Sequence, residues 1–357
     1  MPINIAELFT PRAIGAYWSD TASNREPYLG ASLFPSRKKA GLDLSWLKGS
    51  KGLPVSLMPS AFDAKATFRD RPGLTKTETE MPFFREGMHI GERDRQELLR
   101  AQESNDPYAQ AVIDRLFDDA GTLLDGALVV PERMRMSLLF APSGNAGITF
   151  NANGVSYTYN YDPNGAWKAS NYFALSSNYW TSPAQSDPFT DLSTAANAVA
   201  ENTGTAPGVA IMNKYTFGLL SQSAAVKARF LTVNGSTVGY LSDADVKKIV
   251  NDRLGLRIIV YNKKYKNESG VAVKFVPDGY VALVPDGPVG GTWFGTTPEE
   301  ADLRGKVSNA KVEIVETGIA ITQETTTHPV NVNTFASEIV LPSWERMDEC
   351  ALLKVIS

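Results

Sequence analysis

Two histidines, His89 and His328, and one cysteine, Cys350, are the whole supply of imidazole and thiol in a chain of 357 residues. One cysteine excludes an intrachain disulfide framework and any zinc cluster built on thiolates. Two histidines so far apart in sequence leave a His-rich metal site short of ligands. A serine nucleophile needs a base within hydrogen-bond reach. His89 lies between Met88 and Ile90, and His328 sits within Thr325-Thr326-Thr327-His328-Pro329. Neither context is that of a triad, and no G-x-S-x-G elbow occurs. Long hydrophobic runs are also missing. No stretch approaches the ~18 apolar residues of a membrane span. The start, Met1-Pro2-Ile3-Asn4-Ile5-Ala6-Glu7, lacks the basic opening and apolar run of a secretory leader. These absences predict a soluble chain that needs no oxidising compartment. An excess of positive charge is missing too. Lys and Arg number 35 against 39 Asp and Glu, a net of −4. That balance argues against a protein whose main work is to coat nucleic acid through a basic surface.

The composition that remains is that of a folded protein. Hydrophobic residues are 43% and charged residues 21%, enough apolar content for a real core. The length predicts about two domains, or one elaborated one. Charge is divided unevenly: residues 1–80 net +3 and the remainder nets −7. A basic N-terminal region beside an acidic body suits contacts between copies of one chain. A solvated, mixed surface gives the same count.

Residues 1–35 lack sustained periodicity. Apart from a helical turn at Ile5 to Phe9 they read as an extended arm carrying Phe9, Tyr17, Trp18, Tyr28 and Phe34. Those aromatics pack either on their own domain or on a neighbouring subunit. Next come the basic run Arg37, Lys38 and Lys39 and a segment punctuated by Gly41, Gly49, Gly52 and Gly73. From Ala61 to Asp70 apolar and polar positions alternate, which predicts a strand. A partner strand near Leu53 to Met58 would turn at Pro59-Ser60. A lone two-stranded ribbon is marginal in water and needs another surface to lie on.

Asp106-Pro107 opens the strongest helix. Val112, Leu116, Ala120, Leu123 and Ala127 recur at three- and four-residue spacing, with Ile113, Phe117 and Leu124 widening the stripe. Pro131 should kink or end it, with a further helical stretch to Phe140. Ile148 to Tyr161 reads as a hairpin around Asn153-Gly154, and 162–188 as loop. Helices are expected at Thr190 to Glu201, Lys214 to Leu220 and Asp243 to Leu254. Strands are expected at Val209 to Met212, Arg257 to Tyr261, Tyr280 to Pro285, Ile314 to Thr322, Ala336 to Pro342 and Cys350 to Ile356. No internal repeat is visible. The fold class is α+β.

Chemistry is sparse along this chain. The glycines of Gly287-Pro288-Val289-Gly290-Gly291-Thr292-Trp293-Phe294-Gly295 precede no helix and no Lys-Ser/Thr pair, so they read as a turn rather than a phosphate cradle. Asp243 and Asp245 cap a helix. Glu345, Asp348 and Glu349 form a solvated turn, and Cys350 reads as a small core residue. No catalytic, metal or cofactor residue is assigned. Two readings follow. One is a structural, self-associating protein with an arm and an extended loop. The other is a β-rich hydrolase using carboxylates alone, or a binding module.

The order of features resembles the lambda-type tailed-phage major capsid proteins, the capsid protein E family. The arm leads to Tyr28-Leu29-Gly30-Ala31-Ser32-Leu33-Phe34-Pro35, and the ribbon ends in Phe83-Phe84-Arg85-Glu86-Gly87. The Asp106-Pro107 helix follows. Thr317-Gly318-Ile319-Ala320 precedes Glu338-Ile339-Val340-Leu341-Pro342 and Cys350-Ala351-Leu352-Leu353-Lys354-Val355. The resemblance covers essentially the whole chain and implies the tailed-phage and herpesvirus capsid fold. On it, residues 1–35 are the N-terminal arm and 36–82 an extended β-ribbon loop reaching over an adjacent subunit. Residues 83–184 are the first part of the peripheral domain with its long spine helix, 185–315 the axial domain, and 316–357 the return of the peripheral domain. It implies no enzyme and no cofactor. It implies self-assembly through pentamers and hexamers into an icosahedral head made in the host cytoplasm, with a procapsid that expands as DNA enters. Partners would be a separate scaffolding protein, a portal, a decoration protein in some relatives, and packaged double-stranded DNA held by weak non-specific contact, with no membrane. Candidate inter-subunit residues are Trp18, Arg37, Lys38, Lys39, Trp46, Lys65, Arg69 and Arg71.

Overall fold

The long helix forms where its apolar stripe demands one. In the computed structural model of the chain it runs Tyr108–Leu139, 32 residues, about 48 Å at 1.5 Å per residue. It does not end or break into two at Pro131, which lies inside it. Proline removes one helix hydrogen bond and ordinarily costs about 3 kcal/mol. Here Pro131, Glu132, Met134, Arg135 and Met136 are all buried, so packing around the turn offsets the lost bond. The structure describes residues 10–22, 27–48, 75–93, 96, 100, 108–152, 154–234, 241–305, 311–327 and 330–357.

The chain divides into two compact units: Met1–Leu44, Glu78–Arg133 and Gly291–Ser343, and then Ser45–Thr77, Met134–Gly290 and Trp344–Ser357. In the first unit the 14-residue strand Val330–Ser343 is the axis of a six-stranded sheet. It pairs antiparallel with Ile319–Thr327, with Phe83–Ile90 and with Gly291–Phe294. Ser36–Lys38 lies parallel to Gly291–Phe294, and Lys311–Val315 antiparallel to Ile319–Thr327. The single strand expected from Ile314 to Thr322 is therefore two. They turn through Glu316, whose φ of 52° is left-handed, and Gly318. A Cβ on Gly318 would lie 2.6 Å from Phe294 Cβ, so the turn closes only on a glycine.

The arm is not extended throughout. Residues Pro11–Ala22 form a helix, with Thr10 Oγ1 accepting from Ala13 N at 3.2 Å and Pro11 at its first position. Ile14 and Trp18, four apart, share one helix face. They join Ala120, Leu124, Val315, Ile319 and Ile321 in one buried cluster. The sequence reading missed this helix because Ser, Asp and Thr interrupt its polar side while only two large residues mark its apolar one. The expected turn at Ile5 to Phe9 lies outside the described residues.

The second unit is built on a five-stranded sheet ordered Tyr172–Ala174, Ala351–Lys354, Tyr280–Val284, Val209–Met212, Arg257–Val260. Helices Pro188–Thr203, Lys214–Gln222 and Asp243–Leu254 accompany it, each started by a side-chain cap: Asp187, Asn213 and Ser242. Its core gathers Trp180, Phe189, Leu192, Phe217, Val246 and Leu283. Part of the expected loop 162–188 is ordered as helix Ala166–Asn171 and strand Tyr172–Ala174. The hairpin expected around Asn153-Gly154 joins Gly147–Ala152 to Val155–Asn160. The units do not divide at the expected boundaries 184/185 and 315/316. Hydrogen bonding explains the difference. Ala351–Lys354 pairs with Tyr280–Val284, which places the chain's end in the second sheet, while Gly291–Phe294 pairs with Val330–Ser343, which places 291–315 in the first unit.

Candidate functional site

The residues singled out from sequence sit in different environments. Arg37 and Lys38 lie on the end strand Ser36–Lys38 of the first sheet, whose three residues are exposed. Charged side chains on such an edge discourage unwanted strand pairing. The Arg37 guanidinium lies over the Trp293 ring, 5.3 Å from its centroid, a contact worth about 0.5–1 kcal/mol at an exposed site. Lys38 Nζ donates to Glu300 Oε2 at 2.5 Å and to the Gly295 carbonyl at 3.0 Å. Lys39 is half-buried, and its N–H donates to the Phe294 carbonyl at 2.9 Å. The basic run is thus anchored on one sheet edge.

Trp18 is different. It is 4% exposed, and its Nε1 donates to Asp125 Oδ1 at 2.9 Å. Its neighbour Tyr17 donates to Asp118 Oδ1 at 2.8 Å and lies against the Phe117 ring, tilted 34° to it. That carboxylate pushes the Tyr17 phenol pKa up. Trp18 is thereby used within its own chain, and little of it is left for a neighbour. Trp46 is 8% exposed and stacks on Tyr161 at 5.5 Å; burial pushes the Tyr161 phenol well up. Lys65, Arg69 and Arg71, and the strands expected at Leu53 to Met58 and Ala61 to Asp70, lie outside the described residues. What is described of the ribbon is its base, where Asp43–Lys48 pairs with Thr75–Glu80.

That base is fixed by close contacts. Met81 N–H donates to the Leu42 carbonyl at 2.9 Å, and Gly295 N–H to Ile339 at 2.9 Å. A Cβ on Gly295 would meet Ile339 at 2.6 Å and the Gly41 carbonyl at 2.9 Å. Beside it, Arg85 pairs with Glu299, which also accepts from Ser337 Oγ at 3.0 Å. Trp293, Glu299 and Glu300 were not recognised from sequence, because their contacts with residues 37, 85 and 38 form only once strand Gly291–Phe294 and helix Pro298–Gly305 are in place.

Cys350 is buried, its Sγ donates to the Arg346 carbonyl at 3.5 Å, and burial pushes its thiol up to about 12. His89 is exposed on a strand opposite Asn333, and His328 lies outside the described residues. Among the described residues no three His, Cys, Asp or Glu side chains are grouped to hold a metal ion, and no helix is long and apolar enough to cross a membrane. The arrangement offers an anchored sheet edge and, beside it, the two-stranded base of the ribbon.

The sequence matches the family described as phage major capsid protein E over residues 10–355. The chain belongs to that family. It is a structural, capsid-forming protein of the virion. No curated protein is a significant match in sequence. Among solved structures, a phage-related protein from Bordetella bronchiseptica RB50 is 16% identical with a TM-score of 0.56, covering 97% of this chain and 96% of that one. A chain assigned as the capsid protein of an Escherichia coli CFT073 prophage is 13% identical with a TM-score of 0.59, covering 98% and 99%. The capsid asymmetric unit of cyanophage A-1(L) is 10% identical with a TM-score of 0.51, covering 92% of each. At these identities the likeness is one of fold. The mixed helix and sheet architecture is that of the tailed-phage major capsid proteins.

Proposed function

We propose that copies of this chain close into an icosahedral shell of pentamers and hexamers around a phage genome, and that the ribbon makes the decisive contact between copies. The observation that carries this reading is the ribbon base. Asp43–Lys48 and Thr75–Glu80 form a sheet of two strands, which is marginal on its own in water. Residues 49–74, with Lys65, Arg69 and Arg71 among them, would lie over a neighbouring copy. Charge supports the pairing, since residues 1–80 net +3 and the rest −7. Arg37 and Lys39 are further contact candidates on the adjoining sheet edge. The first unit's long helix and sheet would serve the peripheral role, and the second unit's sheet and helices the axial one.

Assembly takes place in the host cytoplasm around a separate scaffolding protein, with a portal at one vertex and a decoration protein outside. The shell then expands as DNA enters. The mild negative charge suits a container that must release its contents. Replacing 49–74 by a short Gly-Ser linker tests the central claim. Sizing and negative-stain microscopy should show soluble subunits and no closed particles. Closed particles of normal size would overturn the role of the ribbon.

A further inference from the structure

The hairpin Lys264–Lys266 and Ala272–Lys274 is a two-stranded sheet of its own, paired with no other strand among the described residues. Its two faces differ sharply. Lys264 stands directly opposite Lys274, and Lys266 opposite Ala272. Side chains alternate along a strand and cross-strand partners share a face. Lys264, Lys266 and Lys274 therefore line one face. Tyr265 and Val273 line the other, where Tyr265 packs on Phe275 at 4.8 Å and Phe275 on Tyr261 at 6.1 Å.

The lysine face is built and held. Lys274 Nζ donates to both oxygens of Asp278, at 2.7 and 2.9 Å. At the tip, Asn267 Oδ1 accepts from Ser269 N at 3.1 Å and Val271 N at 2.9 Å. Asp278 answers the charge of Lys274, so the exposed cations this face presents are Lys264 and Lys266. Residues 261–275 hold four lysines and one glutamate, in a chain whose part after residue 80 nets −7.

We infer that this face binds the phosphodiester backbone of double-stranded DNA. The inference rests on the reading of the shell as a DNA container. A second copy of the chain fits the face less well. The exposed carboxylates among the described residues of this unit, Glu201, Asp243, Asp252, Asp286 and Glu268 in the hairpin's own turn, lie on separate elements rather than in a row. Duplex DNA supplies a regular row, one charge per ~3.4 Å of each strand. Two exposed lysines keep the contact weak and reversible. Neutralising two phosphates gives a slope of log affinity on log salt of about −1.8, so raising salt from ~50 to ~200 mM weakens binding roughly 12-fold.

The test is fluorescence anisotropy of a labelled short duplex with the purified full chain across that salt range, with particle formation followed in parallel by electron microscopy. Lys264→Gln/Lys266→Gln should lower the slope by about 2 units, with shells still forming. Lys264→Arg/Lys266→Arg should bind as the parent does, and Lys227→Gln, an exposed lysine elsewhere, should change nothing. An unchanged slope in the glutamine variant, or lost binding in the arginine variant, would overturn the assignment. Unchanged DNA binding with lost shells would place a second copy on the hairpin instead. Absence of shells in every variant, with the slope change intact, would count against the capsid assembly reading and not against the DNA face.

Discussion

Arg229 meets Asp187 through two parallel hydrogen bonds, Nη1 to Oδ1 at 2.6 Å and Nη2 to Oδ2 at 3.0 Å. The same guanidinium lies over the Phe189 ring at 4.6 Å. Asp187 in turn caps helix Pro188–Thr203. One ion pair therefore ties the start of a core helix to the helix Ala224–Asn234 that carries Arg229.

This pair sets an acid limit. The Arg229 guanidinium, hydrogen-bonded to Asp187, holds its carboxyl at about 2 against a usual 3.8. A depressed folded pKa means the stabilisation is complete above about pH 4 and is lost as pH falls toward 2. The two side chains are 36% and 37% exposed, so solvent screening holds the contribution to about 1 kcal/mol. Asp187→Asn keeps a capping oxygen but loses the ion pair. Its melting temperature should lie about 1–3 °C below the parent at pH 7, and the gap should close between pH 4 and 2. A gap that stays constant over that range would refute the linkage.

Trp18 belongs to the interior of its own subunit. Trp18→Ala should destabilise unassembled subunits by about 3 kcal/mol, the usual range for emptying a large buried site. Trp18→Phe should recover most of this while losing the bond to Asp125. Denaturant melts of unassembled protein decide the matter. If stability is unchanged and only shell yield falls, the indole serves a neighbour.

Gly295 has no room for a methyl group. Gly295→Ala would press on the Gly41 carbonyl and Ile339, at a cost of about 1–3 kcal/mol from overpacking. The ribbon base would shift with it. Both melting temperature and particle yield should fall, whereas Gly126→Ala, at a helix site with open space around it, should raise stability slightly. Equal effects of the two substitutions would mean that the base does not depend on this close approach.

Arg69 and Arg71 test the polarity of the ribbon. Reversing both to Glu should weaken assembly most at low salt, where charge is least screened, and less at high salt. Light scattering during assembly at two ionic strengths reads this out. Identical assembly at both would remove these residues from the contact.

The long helix, the cap at Ser242 and the strands Val209–Met212 and Tyr280–Val284 were legible because local signals agree: spacing, capping residues and short apolar runs. The helix at Pro11–Ala22 was not. Thr10 and Pro11 mark its start locally, but the burial that holds it comes from Ile14 and Trp18 meeting Leu124 and Ile321, partners far away in sequence. The same holds for the anchored basic run. Arg37 and Lys38 could be seen as basic, but Trp293, across the strand pair, and Glu300, on the helix that follows it, become neighbours only in the fold. The lysine face of the hairpin was half legible. Lys264 and Lys266 show a period of two, but Lys274 joins them only through the strand register.

The sealed state of Cys350 has a practical use. A thiol held at about 12 is thiolate in only about one molecule in ten thousand at pH 8, and the thiolate is the reacting form. The chain has no second cysteine. Val155→Cys, at a position 50% exposed, would therefore carry the sole maleimide-reactive group on each subunit. Spin or fluorophore pairs attached there would report spacings between copies during assembly without any background label.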